Sequence, residues 1–162
     1  MDKRVLIILS LFLALTITIF ITYSLSGETI GEQREALEKE EIILLSQDIE
    51  IIINLEDLKT ISEEFEAVLD TSTSKASVHK YMGAQLKDIL SQNKIDIKDK
   101  KAVILSGVDG YSVAYSLEEV LQDENVYIAY MEDGKYISFQ SIVTSDMFSN
   151  RRCKWLIKIE VK

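Results

Sequence analysis

The sequence predicts an α+β domain built on a mixed β-sheet, and three observations carry that prediction. The stretch Lys101–Lys135 reads as strand, turn, strand, capped helix, strand and turn. Upstream of it, short apolar or alternating runs are twice followed by a helix with its apolar residues at helical spacing. The resulting order is β-β-α-β-β-α-β-β-α-β and then a final strand. That order mixes hairpins with helical connections, which implies a mixed sheet rather than a doubly wound one.

The elements follow in chain order over residues 42–162. Ile42–Leu45 and Ile49–Ile53 are apolar runs around Ser46-Gln47-Asp48, the pattern of a hairpin. Asn54 is placed to cap a short helix carrying Leu55, Leu58 and Ile61. Phe65, Ala67 and Leu69 alternate as a strand, Thr71-Ser72-Thr73-Ser74 is a polar loop or tip, and Ser77–Tyr81 is the return strand. Gln85–Asn93 is a helix that turns Leu86, Ile89 and Leu90 inward. Ala102–Leu105 is a buried strand, and Asp109-Gly110 supplies a tight turn because glycine accepts positive φ without steric cost. Tyr111, Val113 and Tyr115 keep a two-residue period, and Ser116 with Glu119 has capping-box spacing. Val126–Met131 is a strand closed by Asp133-Gly134. The last strand sets Cys153, Trp155, Ile157, Ile159 and Val161 on an apolar face, with Arg152, Lys154 and Lys158 opposite.

Residues 1–27 are read separately, as a membrane anchor. Lys3 and Arg4 precede an uncharged Leu-, Ile- and Phe-rich stretch from Val5 to Gly27, and about 20 apolar residues span a bilayer core. Signal peptides carry a shorter apolar region of roughly 7–15 residues, although Ser24-Leu25-Ser26 keeps a cleavage reading open. The basic flank belongs on the cytoplasmic side, which puts the domain outside the cell, single-pass. Residues 28–41 hold six glutamates against Arg34 and Lys39, with only Ile30, Ala36 and Leu37 apolar. That composition reads as a solvated stalk or linker.

The formal charge is −9. Asp2, Lys3 and Arg4 contribute one net positive charge, so the remainder carries about −10. Such a surface argues against nucleic acid and anionic lipid as partners. Cys153 is the only cysteine, so no intrachain disulfide forms.

The Lys101–Lys135 block resembles the molybdopterin-binding domain of sulfite-oxidase-type oxidoreductases. The matching features are the strand before Asp109-Gly110-Tyr111, the helix start Ser116-Leu117-Glu118-Glu119, and Ile128-Ala129-Tyr130 leading to a glycine turn. Tyr81-Met82-Gly83 with Leu86-Lys87-Asp88-Ile89-Leu90, and Lys154-Trp155 with Ile159-Glu160-Val161, extend the resemblance on both sides. It implies the family's fold. It also implies a cysteine thiolate on molybdenum, in a loop following the strand that corresponds to Phe65–Leu69. This chain has Asp70-Thr71-Ser72-Thr73-Ser74 there, and an alcohol is a poor substitute for soft sulfur. The family's Gly-Pro-hydrophobic-Arg segment falls on Ser138–Val143, which offers no arginine.

The remaining chemical candidates are few. By the same resemblance, Asp109 and Tyr111 lie near the cofactor groove and could line a pocket, beside the simpler reading of a turn and a packed ring. Arg151 and Arg152 are the one paired-arginine site and could hold an anion, beside the reading of solubilising charge. Cys153 on the apolar face reads as a small hydrophobe. His79 is the only histidine and lacks partners at metal-ligand spacing. No catalytic or metal-ligating residue is assigned and no cofactor is predicted. The expectation is a membrane-anchored extracytoplasmic module that binds a small ligand or a protein. The alternative is a molybdopterin-dependent oxidoreductase component with a degenerate or partner-completed site.

Overall fold

Two strands from opposite ends of the domain lie side by side and parallel: β1 (Glu41–Ser46) pairs Ile43 with Lys158 and Ser46 with Val161 of β9 (Leu156–Val161). The computed structural model describes Thr16 and residues 40–162, except Asp48, Ser72, Thr73 and Met147. Residues Ala36–Lys162 form one unit. Of the expected anchor at Val5–Gly27 only Thr16, helical and exposed, is among the described residues, and of the expected stalk only Glu40 and Glu41. Among the described residues no helix is long and apolar enough to cross a membrane.

Around the parallel pair the first sheet has the order β2-β1-β9-β5-β6, adding β2 (Ile49–Asn54), β5 (Ala102–Gly107) and β6 (Ser112–Ser116) in antiparallel pairings. The second sheet is wholly antiparallel, in the order β3-β4-β7-β8. Its strands are β3 (Glu63–Thr71), β4 (Ser74–Gln85), β7 (Val126–Glu132) and β8 (Lys135–Val143). The expected mixed sheet is therefore present, but as one of two. Strand β8 is an addition to the expected order; its Gln140 and Ser141 are buried polar residues, which hides the apolar alternation that marks a strand.

Three short helices join the strands. In α1 (Leu55–Lys59) Asn54 and Asp57 form a reciprocal capping box, and in α3 (Leu117–Leu121) Ser116 and Glu119 do the same. Helix α2 (Leu86–Gln92) buries Leu86, Ile89 and Leu90. The main core joins alternate residues of both sheets with the inner faces of the helices, among them Leu44, Leu105, Ile159, Ile128 and Phe139. The second sheet is apolar on its other face too, where Phe65, Tyr81, Tyr127, Ala129 and Ile142 cluster. Phe65 stacks on Tyr127 at 3.8 Å between centroids. Burial on both faces explains why β7 reads as an unbroken apolar run.

Strand β9 begins three residues later than its alternation suggests. Trp155 takes φ +49° and is 45% exposed, which breaks the register proposed for Cys153 and Trp155. Cys153 is still fully buried, but in the segment before the strand. Arg152, placed on the outer face by that register, is only 7% exposed.

Candidate functional site

The four candidate residues converge on the connection between β8 and β9, where a 3-10 turn (Ser149–Arg151) leads through Cys153 to Trp155. The β5–β6 turn packs against it. Asp109 Oδ1 accepts from the Tyr111 N–H at 3.0 Å, and Gly110 takes φ +83°. Gly107 lies so close to this connection that a Cβ there would sit 2.4 Å from the Lys154 carbonyl oxygen. The Tyr111 hydroxyl donates to the Asn150 carbonyl at 2.6 Å, so the turn and the connection hold each other. Asp109 thus shapes the turn, and Tyr111 bridges to the connection.

Beneath them lies a buried polar junction. The Tyr115 hydroxyl meets Ser141 Oγ at 2.9 Å and donates to the Arg151 carbonyl. Ser141 Oγ accepts from the Cys153 N–H at 2.8 Å, while the Ser141 N–H donates to the Cys153 carbonyl at 2.9 Å. These bonds join β6 of the first sheet to β8 of the second. Burial pushes the Tyr115 hydroxyl up to about 12.

The two arginines diverge. Arg151 pairs with Glu119 at 2.8 Å and Asp146 at 3.4 Å, with its guanidinium carbon 5.0 Å from the Tyr115 ring centroid. Arg152 turns to the second sheet, donating to the Tyr81 hydroxyl at 2.8 Å and the Val68 carbonyl at 3.1 Å. Tyr81 in turn donates to Glu132 at 2.7 Å, and Glu132 lies 3.3 Å from His79 Nδ1. Arg151 is thus paired with two carboxylates, whereas Arg152 finds two neutral acceptors, a hydroxyl and a carbonyl.

The Cys153 thiol makes only long contacts, toward the Tyr111 carbonyl at 3.9 Å and the Lys154 carbonyl at 4.0 Å. Burial, with the charge of Asp109 adding, pushes the thiol up to about 12. The thiolate is the form that ligates metals.

His79 has more neighbours than its sequence suggests. Its Nε2 meets Ser77 Oγ at 2.8 Å and its Nδ1 meets Asp133 Oδ2 at 2.8 Å. Asp133 also accepts from the Lys80 N–H at 3.0 Å, and that bond, followed by the His79 contact, holds its carboxyl below the usual range. The order hydroxyl, imidazole, carboxylate is that of a nucleophile triad. Ser77 is exposed on a strand surface, however, and the bonds to Asp133 tie β4 to the β7–β8 turn. Sequence spacing could not show this pairing, because His79 and Asp133 are 54 residues apart. Among the described residues no three His, Cys, Asp or Glu side chains are grouped to hold a metal.

With this geometry in place, comparison with known proteins decides the family. The sequence matches the oxidoreductase molybdopterin-binding domain over residues 22–162. The chain belongs to that family. No curated protein matches it. Among solved structures, the sulfane dehydrogenase SoxCD from Paracoccus pantotrophus aligns with a TM-score of 0.59 at 12% identity, over 75% of this chain and 37% of that one. At that identity the likeness is one of fold, and this chain spans little more than a third of the SoxCD chain's length.

Membership in a molybdopterin-binding family raises the question of fit. The chain's single thiol is buried and held protonated, and both arginines of the pair are engaged inside the fold. Ser72 and Thr73, in the loop where the resemblance expects the metal's cysteine, lie outside the described residues, but neither offers sulfur. The residues present do not supply the donor set that thiolate-bound molybdenum requires.

Proposed function

We propose that this chain is a membrane-anchored, extracytoplasmic binding module that keeps the molybdopterin-domain fold without molybdenum chemistry. One observation carries the reading: Cys153, the only sulfur nucleophile, packs into the core behind the β5–β6 turn with its thiol pushed up to about 12. Two others support it. Arg151 and Arg152 are engaged by Glu119 and Tyr81 within the fold, so an anionic pterin would compete with those contacts. Lys3-Arg4 ahead of an uncharged stretch supports a single span with the domain outside. The module binds a small ligand or a protein, and its acidic surface disfavours nucleic acid.

The test is metal analysis of the full chain, expressed in a host that makes the cofactor and purified in detergent. The expected result is no stoichiometric molybdenum and no pterin absorbance. Near-equimolar metal that survives gel filtration overturns the non-catalytic reading.

A further inference from the structure

A second feature of the fold lies where β1 begins and β7 and β8 face α1. Tyr130, Tyr136 and Phe139 line a cavity of about 200 Å³ with Leu55 beneath, and Glu40 and Glu41 stand at its wall. Drug-sized ligands occupy roughly 300–1,000 Å³, so this space suits one compact group. The Tyr130 and Tyr136 rings stack with centroids 6.3 Å apart. Among the described residues that line the cavity, none is a lysine or arginine. The charged residues among the described lining are both acidic, Glu40 and Glu41, and the aromatic rings add negative π-faces.

The fold already places a cation against this cage. Lys59 Nζ sits 5.9 Å from the Tyr136 ring centroid, and its own charge is matched by Glu56 at 2.7 Å. An anion would meet the two carboxylates without compensation, and a neutral apolar group would leave them unused. A compact cation with an apolar surface satisfies both the rings and the acids.

We infer that this cavity binds a small organic cation of the quaternary-ammonium class. The inference stands on side chains other than those around Cys153 and holds whether or not the chain carries a pterin. The carboxylates supply long-range attraction, while the rings supply selectivity for a charge spread over methyl groups.

The test uses the full chain in a maltoside detergent, titrated with choline and, in parallel, with its neutral isostere 3,3-dimethylbutan-1-ol. Choline should bind saturably and at least about tenfold more tightly than the alcohol, since charge is the only difference. Tyr136 is 65% exposed, so substitutions there do not threaten folding. Tyr136→Leu should weaken choline by about tenfold and Tyr136→Phe by less than about twofold, because phenylalanine keeps the ring face. Glu41→Gln should weaken it further in low salt than in high. Equal binding of choline and the alcohol, no binding of either, or indifference to Tyr136→Leu overturns the assignment. Because the readout is choline affinity, failure here leaves the molybdenum measurement untouched.

Discussion

Arg152 Nη1 donates to the Tyr81 hydroxyl at 2.8 Å, and its guanidinium carbon lies 5.5 Å from the centroid of the same ring. One side chain thus reaches from the β8–β9 connection across the outer face of the second sheet, and the Val68 carbonyl gives it a second acceptor.

Arg152→Ala should destabilise the domain by about 2–4 kcal/mol, because it removes buried packing and leaves the Val68 carbonyl without this donor. Arg152→Lys should recover little, since an ammonium lacks the planar fork that reaches two acceptors. Tyr81→Phe should cost about 1–3 kcal/mol by leaving the guanidinium and Glu132 without their shared hydroxyl. Urea unfolding of the two single variants and the double variant should give a coupling of about 1 kcal/mol or more. Additive losses would show that the pair is only incidental.

Gly83 separates steric from conformational need. It sits at the bulge where β4 crosses to β7, and a Cβ would lie 2.4 Å from the Ile128 carbonyl oxygen. Backbone cannot yield as a flexible side chain can, so Gly83→Ala should cost about 3 kcal/mol or more. Gly134 has φ +77° but open space around it, so Gly134→Ala should cost only about 1–2 kcal/mol. Equal midpoint shifts in the two variants would contradict the close approach at Gly83.

Cys153 should react slowly with a thiol reagent in the folded chain and at once in denaturant, because it is fully buried and held protonated. Cys153→Ser should lower stability by about 1–3 kcal/mol, since both nearby carbonyls are too distant for a hydroxyl bond without rearrangement. Cys153→Ala should leave choline affinity intact. Fast labelling of native protein would place the thiol at the surface.

Much of this fold was legible because its joints carry their own chemistry. Asn54, and Ser116 with Glu119, mark two helix starts, and Asp109-Gly110 and Asp133-Gly134 mark two turns. Strand β8 was not legible, because Gln140 and Ser141 are buried polar residues, and the Tyr115 hydroxyl that meets Ser141 is distant in sequence. The β9 register failed for a local reason: Trp155 takes a left-handed conformation that no residue pattern announces. The candidate site was half legible. The residue types at Asp109, Tyr111, Arg151 and Arg152 marked separate candidates, and the chain's folding sets them around the β8–β9 connection. That the arginines serve Glu119 and Tyr81 follows from tertiary contacts alone.

The proposed topology predicts that protease added to intact cells or spheroplasts digests the domain. Lys3 and Arg4 would hold the N-terminus inside while Val5–Gly27 crosses. Protection until the membrane is lysed would reverse the orientation, and a mature N-terminus near Gly27 would replace anchoring with secretion.

Stability should fall in alkali, and the window follows from a buried thiol and buried tyrosine hydroxyls. Burial raises the Cys153 thiol from 9.0 to about 12 and the Tyr81 and Tyr115 hydroxyls from 10.0 to about 12. Between those limits the unfolded chain releases protons that the folded chain retains, so folding binds protons and weakens as pH rises. The contribution of Cys153, Tyr81 and Tyr115 is fully present below about pH 9, where the unfolded thiol is still protonated, and is lost by about pH 12; the buried Tyr127 hydroxyl, also raised by burial, extends the decline further. Cys153 acts first, and the tyrosines join it above pH 10. Urea midpoints measured from pH 8 to 11 should stay level, then decline from about pH 9. Cys153→Val should flatten the first part of that decline and leave the steeper part above pH 10. A midpoint that does not move up to pH 11, or a Cys153→Val profile parallel to the parent's, would show that the thiol titrates as freely folded as unfolded.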